Sequence, residues 1–433
     1  MKTVVKKSSY KKVMAMKSAK NLYPLRPALF WRFLMKSLGK KDLKDTNFTY
    51  TQTGMEKLAK DQPCLILMNH SCFMDLEIAE AIFYPRPLNI VCTSDGFVGK
   101  ASLMRHIGCI PTNKFVADFV MVKKIKYALD KLKDSVLMYP EASYSFDGRA
   151  TPVPKTLGKC LKLLNVPVIM VKTFGAYARD PLYNNLQVRK VDVSANVKYL
   201  LSPDEIQKKS VDELNEILQK EFTFDNWKWQ QDNNVVIKED FRADYLNRVL
   251  YKCSVCGRED CMEGKGTLLT CKNCSSVWEL TEKGFLENKK TGQNKTPLLF
   301  NHVPDWFSWE REMVRKEIQN QSYCIDVEVD IYMMVNTKAI YFVGQGRLKH
   351  DNNGFVLNGC NGELHYEQKV KSSYSLYSDY YWYEIGDMIC IGDMKVLYYC
   401  FPKNCGDIVA KARIATEELY KLALAQVSVH STT

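Results

Sequence analysis

The sequence predicts an α/β domain, a mixed sheet covered by helices, followed by a small four-cysteine module and a β-rich C-terminal domain. Three observations carry this. Between residues 46 and 225, short apolar runs at 64–68, 136–139 and 166–171 alternate with stretches of helical periodicity. Two Cys-x2-Cys pairs stand close together, Cys253 with Cys256 and Cys271 with Cys274. From residue 324 to 401 the pattern changes to period-2 alternation rich in tyrosine, and one helical stretch at 407–424 follows.

The amino-terminal arm, residues 1–45, comes first. The net charge of +12 is concentrated there, because residues 1–41 carry 12 Lys and Arg and no acid. Within it, residues 22–38 set Phe30, Trp31, Phe33 and several leucines among Arg26, Arg32 and Lys36. Interfacial helices have this composition, and each basic residue near an anionic leaflet adds about 1 kcal/mol of attraction. The arm is therefore expected to meet an anionic membrane surface. The alternative is a helix packed on the body, with residues 1–20 a solvated tail. No run reaches the roughly 18 apolar residues needed to span a bilayer, and no apolar segment follows the early lysines as in a signal peptide. Fifteen scattered cysteines suit a reducing compartment better than a disulfide framework. A cytoplasmic protein, peripheral on a membrane, is the expectation. In the four-cysteine module Lys and Arg are not clustered with aromatics along a stripe, so no nucleic acid is expected.

The run at 64–68 reads as a buried strand and leads into Asn69-His70-Ser71-Cys72-Phe73-Met74-Asp75. A histidine is suited to taking a proton near neutral pH, and a neighbouring carboxylate can fix its tautomer. Gly108-Cys109-Ile110-Pro111-Thr112-Asn113-Lys114 follows, then Tyr139-Pro140-Glu141-Ala142-Ser143-Tyr144, then Val166-Pro167-Val168-Ile169. The strand before Glu141 would bring it to the same sheet end as His70, where ligands of open α/β sheets sit.

This ordered series resembles the glycerolipid acyltransferase family, which includes lysophosphatidate (1-acylglycerol-3-phosphate) acyltransferases. The family patterns are Asn-His-x4-Asp, Gly-x-Ile-x3-Arg, Phe-Pro-Glu-Gly-Thr-Arg and a Val-Pro-Val-Ile strand, and the likeness spans roughly residues 25–225. It implies an α/β acyltransferase domain that moves a fatty acyl group from acyl-CoA or acyl-carrier protein. The acceptor would be the free hydroxyl of a lysophosphatidate-like lysophospholipid, in phospholipid biosynthesis. His70 would be the general base and Asp75 its orienting carboxylate. Asn69, Gly108, Lys114, Glu141 and Ser143 would belong to substrate binding. Two departures bear on the acceptor. Lys114 replaces one family arginine and lacks its bidentate fork, and Tyr144 replaces the other. Arg149, with Lys155 and Lys172, is a candidate to supply the missing charge.

Ser202-Pro203-Asp204-Glu205 and Ser210-Val211-Asp212-Glu213 have the spacing of helix starts, and the domain is expected to end near residue 225. Residues 226–250 form a connector, with a short helix expected over 241–251. In the module at 251–290, Cys253 and Cys256 are followed after 14 residues by Cys271 and Cys274. Four thiolates leave no open coordination position, so the spacing predicts a zinc ribbon whose zinc is structural, with Cys261 spare. Over 291–433 the strands are joined by a turn signal at Asp351-Asn352-Asn353-Gly354. Strands closed by one helix suggest a pleckstrin-homology-like sandwich; Trp306, Trp309 and Trp382 are read as core, with an interface as the alternative. Two classes of function remain: the enzyme, or a zinc-dependent scaffold or lipid-binding protein built on a degenerate acyltransferase fold. Retention of Asn69, His70, Asp75 and Glu141 favours the enzyme; Tyr144 speaks for the other.

Overall fold

The computed structural model describes residues 3–19, 21–116, 118–291, 294–295 and 299–430, so Lys2 and Lys20 of the arm lie outside the described residues. The strand Leu65–Met68 stands in the middle of a seven-stranded sheet and is buried throughout. Side chains of a strand alternate between faces. Leu65 and Leu67 accordingly join one apolar layer, while Ile66 and Met68 join the other. Across the sheet the order is Thr49–Thr53, Ser194–Leu201, Val168–Phe174, Leu65–Met68, Ser135–Met138, Leu88–Thr93, Cys109–Thr112. Pairing is parallel except between Val168–Phe174 and Ser194–Leu201, which makes the sheet mixed. Helix Met74–Phe83 covers one face, and helices Phe119–Tyr127, Leu157–Leu164 and Val211–Phe222 cover the other. Both expected helix starts form, and each carries a capping box, at Ser202 with Glu205 and at Ser210 with Glu213.

The cysteine module is an antiparallel meander of Met262–Lys265, Leu268–Cys271, Val277–Leu280 and Leu286–Asn288. Ahead of it the expected helix over 241–251 does not form; a single 3-10 turn, Leu246–Arg248, takes its place. The reason is that Ala243 and Tyr245 donate their N–H groups to Gly266 and Gly264 of the meander. A backbone so engaged is not available for a helical ladder.

Among the described residues, helix Val303–Gln319, seven antiparallel strands and helix Val409–His430 make up most of the C-terminal part. In chain order within this part, the strands lie 4-3-2-1-7-6-5 across the sheet. The hairpin at Asn352 and Asn353 joins Cα-paired Asp351 and Gly354 as its turn signal predicts. Trp306 and Trp382 are buried, and Trp309 packs against the same core as Trp306. That core is continuous. It runs from Phe146, Tyr177 and Trp227 beside the first sheet, through Trp278 of the cysteine module, to Ile389 and Ala412 of the C-terminal part.

The arm divides into two pieces. Val5–Lys7 is a strand, added in parallel to Ile340–Phe342 of the C-terminal sheet, and Val13 is fully buried in the shared core. The beginning of the arm is thus docked rather than a solvated tail. Helix Leu29–Leu38, by contrast, has no buried residue. It packs beside helix Met74–Phe83 and leaves Leu29, Phe30, Phe33 and Leu38 exposed. Among the described residues no helix is long and apolar enough to cross a membrane.

Candidate active site

His70 follows the last residue of the central strand by two, and Asp75 lies in the first turn of the helix that comes next. The turn between them folds the carboxylate back onto the ring. His70 Nδ1 lies 3.1 Å from Asp75 Oδ2, and the same oxygen accepts the backbone N–H groups of Ser71 and Cys72. Asp75 Oδ1 accepts from Thr173 Oγ1 at 3.3 Å. Asp75 is completely buried, whereas the His70 side chain is 20% exposed. With Nδ1–H given to the carboxylate, Nε2 keeps its lone pair, and no group among the described residues hydrogen-bonds it. Burial lowers the His70 pKa, and the nearby Lys114 charge adds to this, against the opposing pull of Asp75. The imidazole is therefore neutral at pH 7 and able to accept a proton. Cys72, two residues on, is buried and its pKa is raised well above the usual thiol range, so it provides no thiolate.

Asn69 and Glu141 meet this turn through its backbone. Asn69 Oδ1 accepts the Thr173 N–H at 2.8 Å, and its Nδ2 donates to the Thr173 carbonyl at 3.3 Å, which ties the turn to the adjacent strand. Glu141 Oε2 accepts the N–H of His70 at 2.7 Å, and Oε1 accepts that of Thr151 at 2.8 Å. Burial pushes the Glu141 carboxyl up to about 8, opposed by these two amides and by Arg413. On the other side of the same residue, the Ser145 N–H donates to the His70 carbonyl at 2.8 Å. The loop that starts at Tyr139 thus clasps His70 from both sides. Ala142 within it takes φ +56°, where the family pattern has glycine. That conformation carries strain for an alanine, and its neighbours must over-determine it.

The family model described as Acyltransferase matches residues 49–172, a span that contains Asn69, His70, Asp75 and Glu141 but neither Thr173 nor Arg413. The chain carries an acyltransferase-family domain. A crystal structure of the 1-acyl-sn-glycerophosphate (LPA) acyltransferase PlsC from Thermotoga maritima is also similar. It shows 18% identity and a TM-score of 0.36, covering 44% of this chain and 76% of that one. No curated protein matches the chain significantly.

The remaining expected residues of the acyltransferase domain fall into place less evenly. Tyr144, in the position of the second family arginine, packs edge-on to the His70 ring at 4.5 Å, and Tyr139 stacks on it at 4.0 Å. Lys114 makes no ion pair among the described residues. Its ammonium sits 4.3 Å over the ring of Tyr377 from the C-terminal part, and its charge reaches His70. Gly108 is shaped by packing: its φ is +89°, and an added Cβ would stand 2.6 Å from the Leu88 carbonyl oxygen. Arg149 does not join the histidine. Asp147 holds it at 2.7 Å and Ser308 accepts from it at 2.8 Å, so this guanidinium is already committed. Ser143 is buried, and its hydroxyl accepts from Arg413 on helix Val409–His430 at 3.2 Å. Arg413 also donates to Thr151 Oγ1 at 3.3 Å. Sequence reading passed over Arg413, because an arginine four residues before Glu417 on a helix reads as an ordinary i,i+4 ion pair.

A second candidate site lies in the meander. One Sγ atom from each of Cys253, Cys256, Cys271 and Cys274 falls within 4.8 Å of the others, so the group could hold a metal ion. The pairs Cys253–Cys274 and Cys256–Cys271 are each 3.7 Å apart. Tetrahedral thiolates at about 2.3 Å from zinc would be separated by nearly that distance. Cys261 is nearer than a spare cysteine need be, with its Sγ 3.5 Å from that of Cys271.

Proposed function

We propose that the protein transfers a fatty acyl group from acyl-CoA or acyl-carrier protein to the free hydroxyl of a lysophosphatidate-like lysophospholipid. The observation that carries this is His70: Nδ1 bound to a buried carboxylate, Nε2 open, inside an acyltransferase-family domain. In this reading Nε2 removes the hydroxyl proton as the lipid oxygen bonds to the thioester carbonyl carbon. The carbon–sulfur bond then breaks, and the imidazolium returns the proton to the departing thiolate. General base catalysis of this kind contributes about 10²–10⁴-fold. Asp75 keeps the tautomer and offsets the charge on the imidazolium. Asn69 and Glu141 act on the backbone of the turn, and Lys114 is a cation whose charge reaches the base.

The protein works in this reading from the surface of an anionic membrane in the cytoplasm. Helix Leu29–Leu38 supports it, because its exposed Leu29, Phe30 and Phe33 are flanked by basic residues, beside the helix that bears Asp75. The four thiolates take zinc in a structural role, bracing the joint where Trp278 meets Trp306 at 4.8 Å. The C-terminal part is of pleckstrin-homology type, on the strength of its strand order and closing helix.

Release of free thiol from an acyl thioester, followed with a panel of lyso acceptors, tests the reaction. Turnover that depends on a lysophospholipid is expected. No thiol release with any acceptor, from protein that retains its metal, rejects the reading and leaves the scaffold alternative. Replacing Phe30 and Phe33 by aspartate should reduce sedimentation with anionic vesicles; undiminished binding removes this helix from the membrane surface.

A further inference from the structure

Helix Val409–His430 belongs to the C-terminal part, yet it reaches the loop that holds His70. Arg413 is the contact. It is 3% exposed, and its guanidinium lies 4.8 Å over the ring of Phe146, which belongs to that same loop. Nη2 donates to the hydroxyls of Ser143 and Thr151. Nε is 3.4 Å from Glu417 Oε1, and Glu417 in turn is fixed by Arg311 at 2.8 Å and by the Ser375 hydroxyl at 2.7 Å. The guanidinium is therefore anchored on its own side and aimed at the loop. Ser143 and Thr151 bracket the segment that matters, since Thr151 N–H and His70 N–H share the Glu141 carboxylate. Between Glu141 and Ser143 stands the strained Ala142.

We propose that Arg413 is a positioning residue for His70: it holds the loop hydroxyls so that Glu141 fixes the backbone of the base, and the C-terminal part thereby completes the acyltransferase site. A buried guanidinium that is hydrogen-bonded and packed on a ring is a stiff tie, and misplacing a catalytic group by about 1 Å can cost about 10²-fold in rate. From Tyr139 to Thr151 the loop contains no helix or strand; a one-residue bridge from Arg149 to Asp225 ties its far end, on the side away from Glu141 and Ser143 in sequence. The inference extends the proposed acyl transfer, on which only its kinetic readout rests.

The test uses the full chain with Arg413→Gln and Arg413→Lys. Thr151→Val serves as a second variant, which removes a hydroxyl acceptor and keeps the backbone N–H to Glu141. For Arg413→Gln we expect kcat to fall by about 10- to 100-fold with the acceptor KM within about twofold. The loss should be equal for phosphorylated and uncharged lyso acceptors. Lysine should recover part of the loss, and Thr151→Val should reproduce part of it at unchanged melting temperature. Nitrogen-15 spectra of the His70 ring, assigned with His70→Gln, read the same effect without substrate: Arg413→Gln should broaden or split the resonance. Unchanged kcat and an unchanged His70 resonance overturn the proposal. So does a KM increase confined to phosphorylated acceptors, which makes Arg413 a direct ligand of the acceptor. If the unaltered protein turns over no acceptor, the acyl-transfer reading fails, while the resonance still decides the positioning role. Should Arg413→Gln not fold, Thr151→Val decides by the same two readouts.

Discussion

Asp75 and Glu141 are two buried carboxylates that accept hydrogen bonds from one histidine, at 3.1 Å and 2.7 Å, and they do different work. Asp75 meets the ring. It sits in the turn that carries the histidine, five residues away, and can follow the imidazole as it gains a proton. Glu141 meets the backbone. It arrives from another strand, on the loop 139–151, and touches no atom that changes charge. A carboxylate on the ring tunes the chemistry, whereas a carboxylate on the backbone sets where the chemistry happens. Substitutions at the two positions should therefore fail in distinguishable ways.

The largest effect is expected at the residue both carboxylates serve. His70→Ala removes the base and should lower kcat/KM by about 10²–10⁴-fold. Far-ultraviolet circular dichroism and metal content should be unchanged, since the hydrogen bonds that tie His70 to Glu141 and Ser145 run through its backbone, which alanine keeps. Full activity in this variant, measured by thiol release, breaks the comparison at its root. Asp75→Asn comes next, with a loss of about 10²–10³-fold, because the amide can present its N–H to the ring and select the wrong tautomer. Glu141→Gln should cost less, about 10-fold, through looser placement of the histidine. Its loss should fall on kcat. The variant should also melt at lower temperature, because its amide turns an NH2 group toward one of the two backbone N–H groups that the Glu141 oxygens accept. A Glu141→Gln enzyme as impaired as Asp75→Asn, with unaltered melting, would put Glu141 on the substrate instead.

The half of the site on the turn was legible in the sequence because it is local. His70 and Asp75 are separated by one strand-to-helix turn, and the spacing alone brings them together. The four cysteines were legible for the same reason, as two short Cys-x2-Cys knuckles at recognisable separation. Alternation announced the C-terminal strands, and capping residues announced two helices. The other half was hidden. Arg413 is 270 residues from Ser143 and 262 from Thr151, and no periodicity connects them. Likewise the basic run at the amino terminus gave no sign that Val5–Lys7 would extend a sheet formed by residues beyond 324. In each case the deciding partner belongs to an element whose placement depends on the shared core rather than on the neighbouring sequence.

The smallest of the expected effects separates the two carboxylates most cleanly. The base form of His70 is the active one, so kcat/KM should rise with pH through the histidine pKa of the free enzyme and then level off. Burial and Lys114 lower that pKa, so the rising limb should lie below pH 6.5. Asp75 opposes this lowering, through its hydrogen bond and its charge. Removing its charge in Asp75→Asn should move the limb further toward acid, even as the plateau falls. Glu141 is not among the groups that shift the ring, so Glu141→Gln should lower the plateau and leave the limb in place. Rate profiles from pH 4.5 to 8 for the three proteins are sufficient. A limb that moves equally in both variants would mean that the two carboxylates act on the imidazole as one electrostatic unit. The distinction between tuning and placing would then be lost.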